Sequence, residues 1–248
     1  MSENQSPAAD HTPERTVEDA AGYSLPELFR TCAGQRPDQV AIAMGDRQVT
    51  FGEIDAASDR VAAWLAGREV VKGDRIALYC INSDAFAAAY LGIVKAGAVV
   101  VPVNLLIGAD EVKHVLSDSG AKGILYFELF AEKVAAFRDG MEGLEFAASI
   151  GASPAPAGDT SWVEVLGTEG APPDVDFDPK EDLAAILYTS GTTGYPKGAM
   201  LTHRNLAANT WSVNEALGLV PGEDSLLVVL PMFHAFAATA GLLFPLLH

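Results

Sequence analysis

Positive charge is scarce in this chain. Of its 248 residues, 16 are Lys or Arg and 33 are Asp or Glu, which gives a formal net charge of −17. Nonspecific nucleic-acid binding and attraction to anionic lipid both depend on Lys and Arg meeting phosphates. The composition therefore argues against a nucleic-acid-binding protein and against a peripheral membrane protein. If the substrate is an anion, the chain must supply positive charge locally or through a metal ion.

Cysteine is scarce as well, since Cys32 and Cys80 are the only two. Two cysteines cannot build a disulfide framework, and their spacing is not that of a metal site, which favours a reduced, cytoplasmic location. Residues 1–22 have neither a basic region nor an apolar core. They are therefore not expected to form a signal peptide and are interpreted as a mobile leader.

Charge is missing altogether from residues 226–247, a run that is long enough to cross a bilayer. Pro231, His234 and Pro245 interrupt the run, and no Lys or Arg lies close to either end as an anchor. We therefore expect a buried core segment rather than a transmembrane helix.

Hydrophobic residues make up 49% of the chain, the proportion of a packed globular protein. Capping boxes at Ser24–Glu27 and Thr50–Glu53 predict two helix starts. After the second, β-rich runs alternate with helical ones, which predicts an α/β fold with a mainly parallel sheet. Lys95 lies in an apolar run and is expected to snorkel at a helix end without a chemical role. Strands are expected at 75–80, 98–103, 123–127, 144–149, 183–189, 199–202 and 225–230, and helices at 83–95, 110–117, 128–138 and 204–217.

The most informative segment is the loop after the strand at 183–189, with the sequence YTSGTTGYPKG over residues 188–198. Glycines allow positive φ and close approach to a ligand, and successive amide N–H groups in such a turn bind anions. Hydroxyls and one lysine add donors and charge at the carboxyl end of a strand, where open α/β sheets bind ligands. The loop is therefore a candidate phosphate-binding loop, whose candidate ligand groups are Thr189, Ser190, Gly191, Thr192, Thr193, Gly194 and Lys197.

Two other interpretations of this loop are weaker. It is not a Walker A loop, because its spacing gives Pro196-Lys197 instead of Gly-Lys and because a strand rather than a helix follows. A flexible Ser/Gly linker would not need the lysine, and an apolar strand would not normally lead straight into such a linker.

The eleven residues 188–198 resemble the signature of the adenylate-forming, AMP-binding superfamily. This superfamily includes acyl-CoA synthetases, firefly-luciferase-like enzymes and the adenylation domains of peptide synthetases. The resemblance extends from about Ser24 to His248 and is closest to fatty acyl-CoA synthetases. Four weaker matches lie in the family's order, namely VTFGE, KAGAVVVP, DLAAIL and LPMFH at residues 49–53, 95–102, 182–187 and 230–234.

The resemblance implies two half-reactions. A carboxylate attacks the α-phosphorus of ATP to give acyl-AMP and pyrophosphate, and the thiol of coenzyme A then displaces AMP. Thr189 would contact Mg²⁺ or phosphate, and Lys197, the catalytic candidate, would balance the charge of the leaving pyrophosphate. The β- and γ-phosphates would be bound by backbone N–H groups and hydroxyls of Ser190, Gly191, Thr192, Thr193 and Gly194.

In the family, the element at 230–234 lines the pocket for the acyl group. Peptide-synthetase domains typically carry Phe-Asp there, whereas this chain has Phe233-His234, so no acid pairs with the ammonium of an amino-acid substrate. The small residues that follow leave room for an aliphatic tail, whose burial contributes about 0.8 kcal/mol per CH₂. Ala238 stands where some long-chain members have an aromatic gate, so the chain length stays open. In isolation, His234 would be interpreted as a core or helix-capping histidine; within the motif, the pocket role is favoured.

The later family elements are a "YG-x-TE" segment, a "TGD" segment and a C-terminal lysine, and none occurs in this chain, which is about half as long as family members. The resemblance therefore implies an N-terminal portion that is inactive alone. We expect a leader at 1–22, a first α/β subdomain at 23–182 with a loop-rich excursion at 151–182, and the start of a second subdomain at 183–248. Two alternatives stay open, a non-catalytic module that binds a nucleotide or a partner, and an adenylate-former for an aryl or short-chain acid. The sequence does not indicate an oligomeric state.

Overall fold

The computed structural model describes residues 21–189, 196–220 and 222–248, and every structural statement below concerns these residues. Residues 1–20, most of the expected leader, lie outside them. The strands are β1 (Val40–Met44), β2 (Arg47–Thr50), β3 (Arg75–Tyr79), β4 (Val99–Pro102), β5 (Ala121–Phe127), β6 (Phe146–Ile150), β7 (Thr160–Ser161), β8 (Leu183–Thr189) and β9 (Lys197–Thr202).

Helices fill most of the connections between these strands. They are α1 (Leu25–Gln35), α2 (Phe51–Ala66), α3 (Asp84–Lys95), α4 (Ala109–Ser119), α5 (Ala131–Arg138), α6 (Trp162–Leu166), α7 (His203–Leu217) and α8 (Phe244–Leu247). A 3₁₀ turn at Glu128–Phe130 precedes α5, and a π-helical stretch at Ala237–Leu243 precedes α8.

A seven-stranded sheet in the order β7-β6-β5-β3-β4-β8-β9 forms the centre of the fold. Its neighbouring strands are parallel except for the last pair, β8 and β9, which is antiparallel. The predicted α/β fold with a mainly parallel sheet is confirmed. Strand β4 is buried at every residue, as expected for a parallel strand that is covered on both faces. The sheet crosses the subdomain boundary expected between residues 182 and 183, because β8 pairs with β4.

Local sequence signals determine two of the helix starts. The backbone N–H of Ser24 donates to the carboxylate of Glu27 over 2.7 Å at the start of α1. The backbone N–H of Thr50 donates in the same way to Glu53 over 2.8 Å at the start of α2. Each hydroxyl also accepts from the N–H three residues on, so both predicted capping boxes are confirmed.

The prediction for Lys95 was wrong. Its side chain does not reach solvent, since the residue is 1% exposed and its Nζ lies 2.6 Å from the carboxylates of both Asp55 and Asp59. These two residues are four apart on α2 and share one face of that helix. Helices α2 and α3 approach closely because Gly92 has no side chain, and a Cβ there would lie 2.4 Å from Cβ of Val61. Lys95 therefore ties α3 to α2.

The prediction of a strand at 225–230 was also wrong. This stretch joins neither sheet of the described residues, and Leu227 and Val229 are 90% and 76% exposed. A strand needs a neighbouring backbone to pair with. Here the end of the stretch is instead held by a side chain, because the amide of Asn82 donates to the carbonyl of Leu230 over 2.9 Å and accepts from the N–H of Met232 over 2.7 Å.

The uncharged run at 226–247 divides into two parts. Its first part is exposed, as described above, whereas most of the helical residues at 237–247 are buried and pack against α7 and α1. The buried-core expectation is therefore correct for the second part alone. None of the helices in the described ranges is both long enough and apolar enough to span a membrane.

Candidate functional site

The candidate phosphate-binding loop connects two paired strands. Thr189 at the end of β8 lies directly opposite Lys197 at the start of β9, as the last pair of their antiparallel ladder. Because β8 is parallel to β4, this pair lies at the edge of the sheet where the parallel strands end, the edge at which open α/β sheets bind ligands. The candidate ligand groups Ser190, Gly191, Thr192, Thr193 and Gly194 lie outside the described residues.

The two described candidates of this loop share one face of the hairpin. Side chains of directly opposite residues in an antiparallel pair point the same way. The side chains of Thr189 and Lys197 therefore extend from the same face of the hairpin, and both residues are exposed. None of the ion pairs found among the described residues involves Lys197, so its charge is available to an anionic ligand.

Tyr188, one residue before the end of β8, is held by α4. Its hydroxyl donates to the carboxylate of Asp118 over 2.6 Å. Burial raises the pKa of the Tyr188 phenol, and the neighbouring Asp118 carboxylate raises it further, so the group remains a neutral donor. Across the ladder stands Gly198, where an added Cβ would lie 3.0 Å from Cζ of Tyr188 and 2.6 Å from Cγ2 of Ile186. The glycine after the lysine is thus required by packing against β8.

The other end of the loop is also in contact with α4. Nε2 of His114 lies 3.1 Å from the carbonyl oxygen of Pro196, a buried residue just before β9. A carbonyl can only accept, so in this contact Nε2 carries the proton and donates. Sequence reasoning had missed His114 and Asp118, because they are 82 and 70 residues away from their partners in the chain.

The substrate candidates lie in a different part of the fold. His234 is exposed, its Nδ1 accepts from the N–H of Phe236 over 3.4 Å, and its carbonyl accepts from the N–H of Ala238 over 2.8 Å. The contact between the His234 side chain and the N–H of Phe236 is of the helix-capping type. Ala238 is 1% exposed and lies in the core, and Phe233 is half-buried. The acyl-pocket role of these three residues stays a prediction.

A cavity of about 370 Å³ lies between the β1–β2 hairpin and the C-terminal helical segment. Its walls include residues 40–44, 225–228, 241–242, 244–246 and 248, together with Asn82 and Met232. Phe233, His234 and Ala238 are not part of these walls. The cavity therefore does not bring the predicted substrate residues together.

His203 is a buried histidine at the end of β9 away from Lys197, and sequence reasoning had not singled it out. It begins α7 directly after β9, and its Nδ1 accepts from the N–H of Leu25 at the start of α1 over 3.2 Å. Burial lowers the pKa of His203 from 6.5 to about 4, against the opposing effect of the carboxylates of Asp182 and Glu27. The imidazole is therefore neutral at pH 7 and acts as a structural acceptor that joins two helices.

Comparisons with known proteins give a consistent result. Residues 29–248 match the family model described as "AMP-binding enzyme". The chain is 34% identical over 247 residues to a long-chain-fatty-acid–CoA ligase of Salmonella typhimurium, covering 89% of this chain and 44% of the relative. It is 35% identical over 205 residues to a feruloyl-CoA synthase of an Amycolatopsis species, covering 83% of this chain and 38% of that protein.

A solved structure has the same fold. The crystal structure of the anthranilate CoA ligase AuaEII in complex with anthranoyl-AMP superposes with a TM-score of 0.82 at 26% sequence identity. The superposition covers 94% of this chain and 45% of the ligase. The chain thus spans less than half the length of each of these three proteins.

Proposed function

Since the chain belongs to the family of AMP-binding enzymes, whose members include acyl-CoA ligases, we propose that it forms the nucleotide-phosphate-binding part of a fatty acyl-CoA synthetase. In the whole protein, an oxygen of the acid's carboxylate forms a bond to the α-phosphorus of ATP, and the bond from that phosphorus to pyrophosphate breaks. The sulfur of coenzyme A then attacks the acyl carbon, the thiol proton is released, and AMP leaves.

One observation carries this proposal. Thr189 and Lys197 form the last pair of a hairpin at the edge of the sheet where the parallel strands end, and the charge of Lys197 is uncompensated among the described residues. An ammonium placed there can stabilise the charge that develops on the departing pyrophosphate. Because the protein has a net charge of −17, such local positive charge is needed to hold ATP.

The loop residues between this pair complete the proposed site. Their composition supports backbone N–H and hydroxyl contacts to the β- and γ-phosphates, made by Ser190, Gly191, Thr192, Thr193 and Gly194.

Mg²⁺ fits the chemistry of this edge. Mg²⁺ prefers oxygen ligands and is commonly held by one or two protein groups together with substrate phosphates. The exposed hydroxyl of Thr189 is a suitable oxygen, and the described residues contain no cluster of three or more His, Cys, Asp or Glu that could hold a metal by itself. Thr189 would therefore hold Mg²⁺ jointly with the phosphates of ATP, and the ion would neutralise phosphate charge.

The proposed acid is a fatty acid, with an aryl or short-chain acid as the alternative. His234 in place of an acid disfavours an amino-acid substrate, and small residues follow it. The relatives above are named for long-chain fatty acids, ferulate and anthranilate, so both classes occur among similar proteins. Phe233 and His234 would contact the acyl group, while Ala238 would influence the pocket by its small volume.

The proposed domain organisation follows from the same reasoning. Residues 23–182 would form a first subdomain with an excursion at 151–182, and residues 183–248 would contribute the phosphate loop and the beginning of a second, even though β8 pairs with β4. This chain would be inactive by itself and would act in the cytoplasm as part of a longer enzyme. A non-catalytic module that binds a nucleotide or a partner is the competing proposal.

The decisive experiment is carboxylate-dependent ATP–pyrophosphate exchange. It would be measured on a protein that contains this chain and its natural continuation, with acids from acetate to palmitate and with one aryl acid. Exchange that depends on a fatty acid supports the proposal, and exchange with the aryl acid alone supports the alternative. Absence of exchange with every acid, together with binding of ATP, would favour the non-catalytic module. The 248-residue chain should form no acyl-CoA, and measurable turnover by it would contradict the part-enzyme proposal.

A further inference from the structure

We propose that α4 is a positioning element for the phosphate loop, because its Asp118 holds the strand that enters the loop and its His114 holds the residue that leaves it. This inference rests on the proposed function for its catalytic meaning. The contacts themselves are formed entirely by described residues.

The two contacts come from one face of one helix. His114 and Asp118 are four residues apart and therefore neighbours on the surface of α4. Asp118 accepts from the Tyr188 hydroxyl over 2.6 Å, and Nε2 of His114 donates to the Pro196 carbonyl over 3.1 Å. Between Tyr188 and Pro196 lie Thr189 and the six residues that complete the loop. A single helix thus fixes the positions of both loop ends.

Helix α4 is itself firmly anchored, which a positioning element requires. Val112, Val115 and Leu116 are each 1% exposed and pack in the core. At its end, the guanidinium of Arg75 on β3 donates to the carbonyl oxygens of Ser119 and Gly120 over 2.7 and 2.8 Å. The helix is therefore connected to the central strand β3 as well as to the two ends of the loop.

The ladder transmits the position of one loop end to the other. Tyr188 is paired with Gly198, and its ring lies close enough that a Cβ on Gly198 would be 3.0 Å from Cζ. A shift of Tyr188 would therefore move the start of β9 and with it Lys197. Loop ends that are held before ATP arrives do not have to be ordered at the expense of binding free energy.

Hydrogen–deuterium exchange of the 248-residue chain tests the contacts without requiring any activity. In Asp118→Ala, Tyr188→Phe and His114→Ala, peptides covering residues 189–198 should exchange about fivefold faster, the factor expected for one lost hydrogen bond. Asp118→Asn keeps an acceptor for the Tyr188 hydroxyl, and His114→Gln keeps a donor for the Pro196 carbonyl. Both variants should therefore retain most of the protection from exchange. Ser117→Ala, at an exposed position on the same helix, is the matched control and should exchange like the wild type.

Two results of the exchange experiment would overturn the proposal. One is equal exchange of residues 189–198 in the wild type and in the three disruptive variants. The other is faster exchange across the whole chain, which would mean that the contacts only stabilise the fold.

Steady-state kinetics of the whole enzyme tests the catalytic meaning. In ATP–pyrophosphate exchange, the three disruptive variants should raise the KM for ATP about fivefold and leave the KM for the acid within about twofold of the wild type. Equal increases in both KM values would overturn the positioning role, because a general loss of structure would affect both substrates. If the wild type shows no exchange at all, the proposed function fails, and the hydrogen-exchange result still decides whether α4 holds the loop.

Discussion

Thr189 and Lys197 face each other at the end of the β8–β9 ladder, with seven residues of loop between them. Their pairing places a hydroxyl and an ammonium on the same face at the edge of the sheet. An anion that binds there meets both groups at once. In a chain with 33 acidic and 16 basic side chains, the position of this one cation matters more than the total charge.

The first prediction concerns Lys197. In the whole enzyme, Lys197→Ala should lower carboxylate-dependent ATP–pyrophosphate exchange by about tenfold or more, because charge on the leaving pyrophosphate loses its stabilisation. Lys180→Ala removes an equal charge at another exposed position and should leave the exchange rate within about twofold of the wild type. An unchanged rate in Lys197→Ala would refute the assigned role.

A second prediction follows from the close packing at Gly198. Gly198→Ala would place a Cβ 2.6 Å from Cγ2 of Ile186 and 3.0 Å from Cζ of Tyr188, so we expect it to lower the free energy of unfolding by about 1–3 kcal/mol. Gly34→Ala is the matched control, since it meets no atom within 4 Å and lies in α1. Urea denaturation of the 248-residue chain measures both. If the two variants had equal stability, the steric explanation would be wrong.

The third prediction concerns the buried ammonium of Lys95. Lys95→Met should destabilise the chain by about 3 kcal/mol, because it leaves the carboxylates of Asp55 and Asp59 without their shared partner. Asp55→Asn alone should cost less, about 1 kcal/mol, since Asp59 still pairs with the lysine. Lys180→Met, at an exposed lysine, serves as the control in the same urea titrations. A wild-type midpoint for Lys95→Met would show that the triad contributes no net stability.

Local signals in the sequence predicted the parts of this fold that depend on local interactions. The capping boxes at Ser24 and Thr50 were confirmed because a cap is formed within four residues. The mainly parallel sheet followed from the alternation of strands and helices. The stretch at 225–230 failed because strand propensity alone does not supply a pairing partner, and its contacts with Asn82 are side-chain contacts over about 150 residues.

In the candidate site, too, the sequence predicted what depends on local residues and did not predict the long-range contacts. The residue types of the loop indicated phosphate binding, and the strand before it placed Thr189 and Lys197 at the edge of the sheet. His114 and Asp118 could not be recognised, because a histidine and an aspartate on an amphipathic helix carry no signal of the partners that tertiary packing gives them.

The last prediction concerns pH. The pKa of His203 falls from 6.5 to about 4 on folding, so the folded chain binds fewer protons than the unfolded chain between these values. The stability that His203 contributes is fully present above pH 6.5 and is lost as the pH falls towards 4, a total of about 3 kcal/mol.

His203→Asn keeps an acceptor for the N–H of Leu25 but cannot titrate, so its stability should decline less steeply over this range. Urea titrations at pH 7 and pH 4.5 measure the difference, with His234→Asn, at an exposed histidine, as a control that should follow the wild type. Parallel declines in the wild type and in His203→Asn would contradict a buried neutral imidazole.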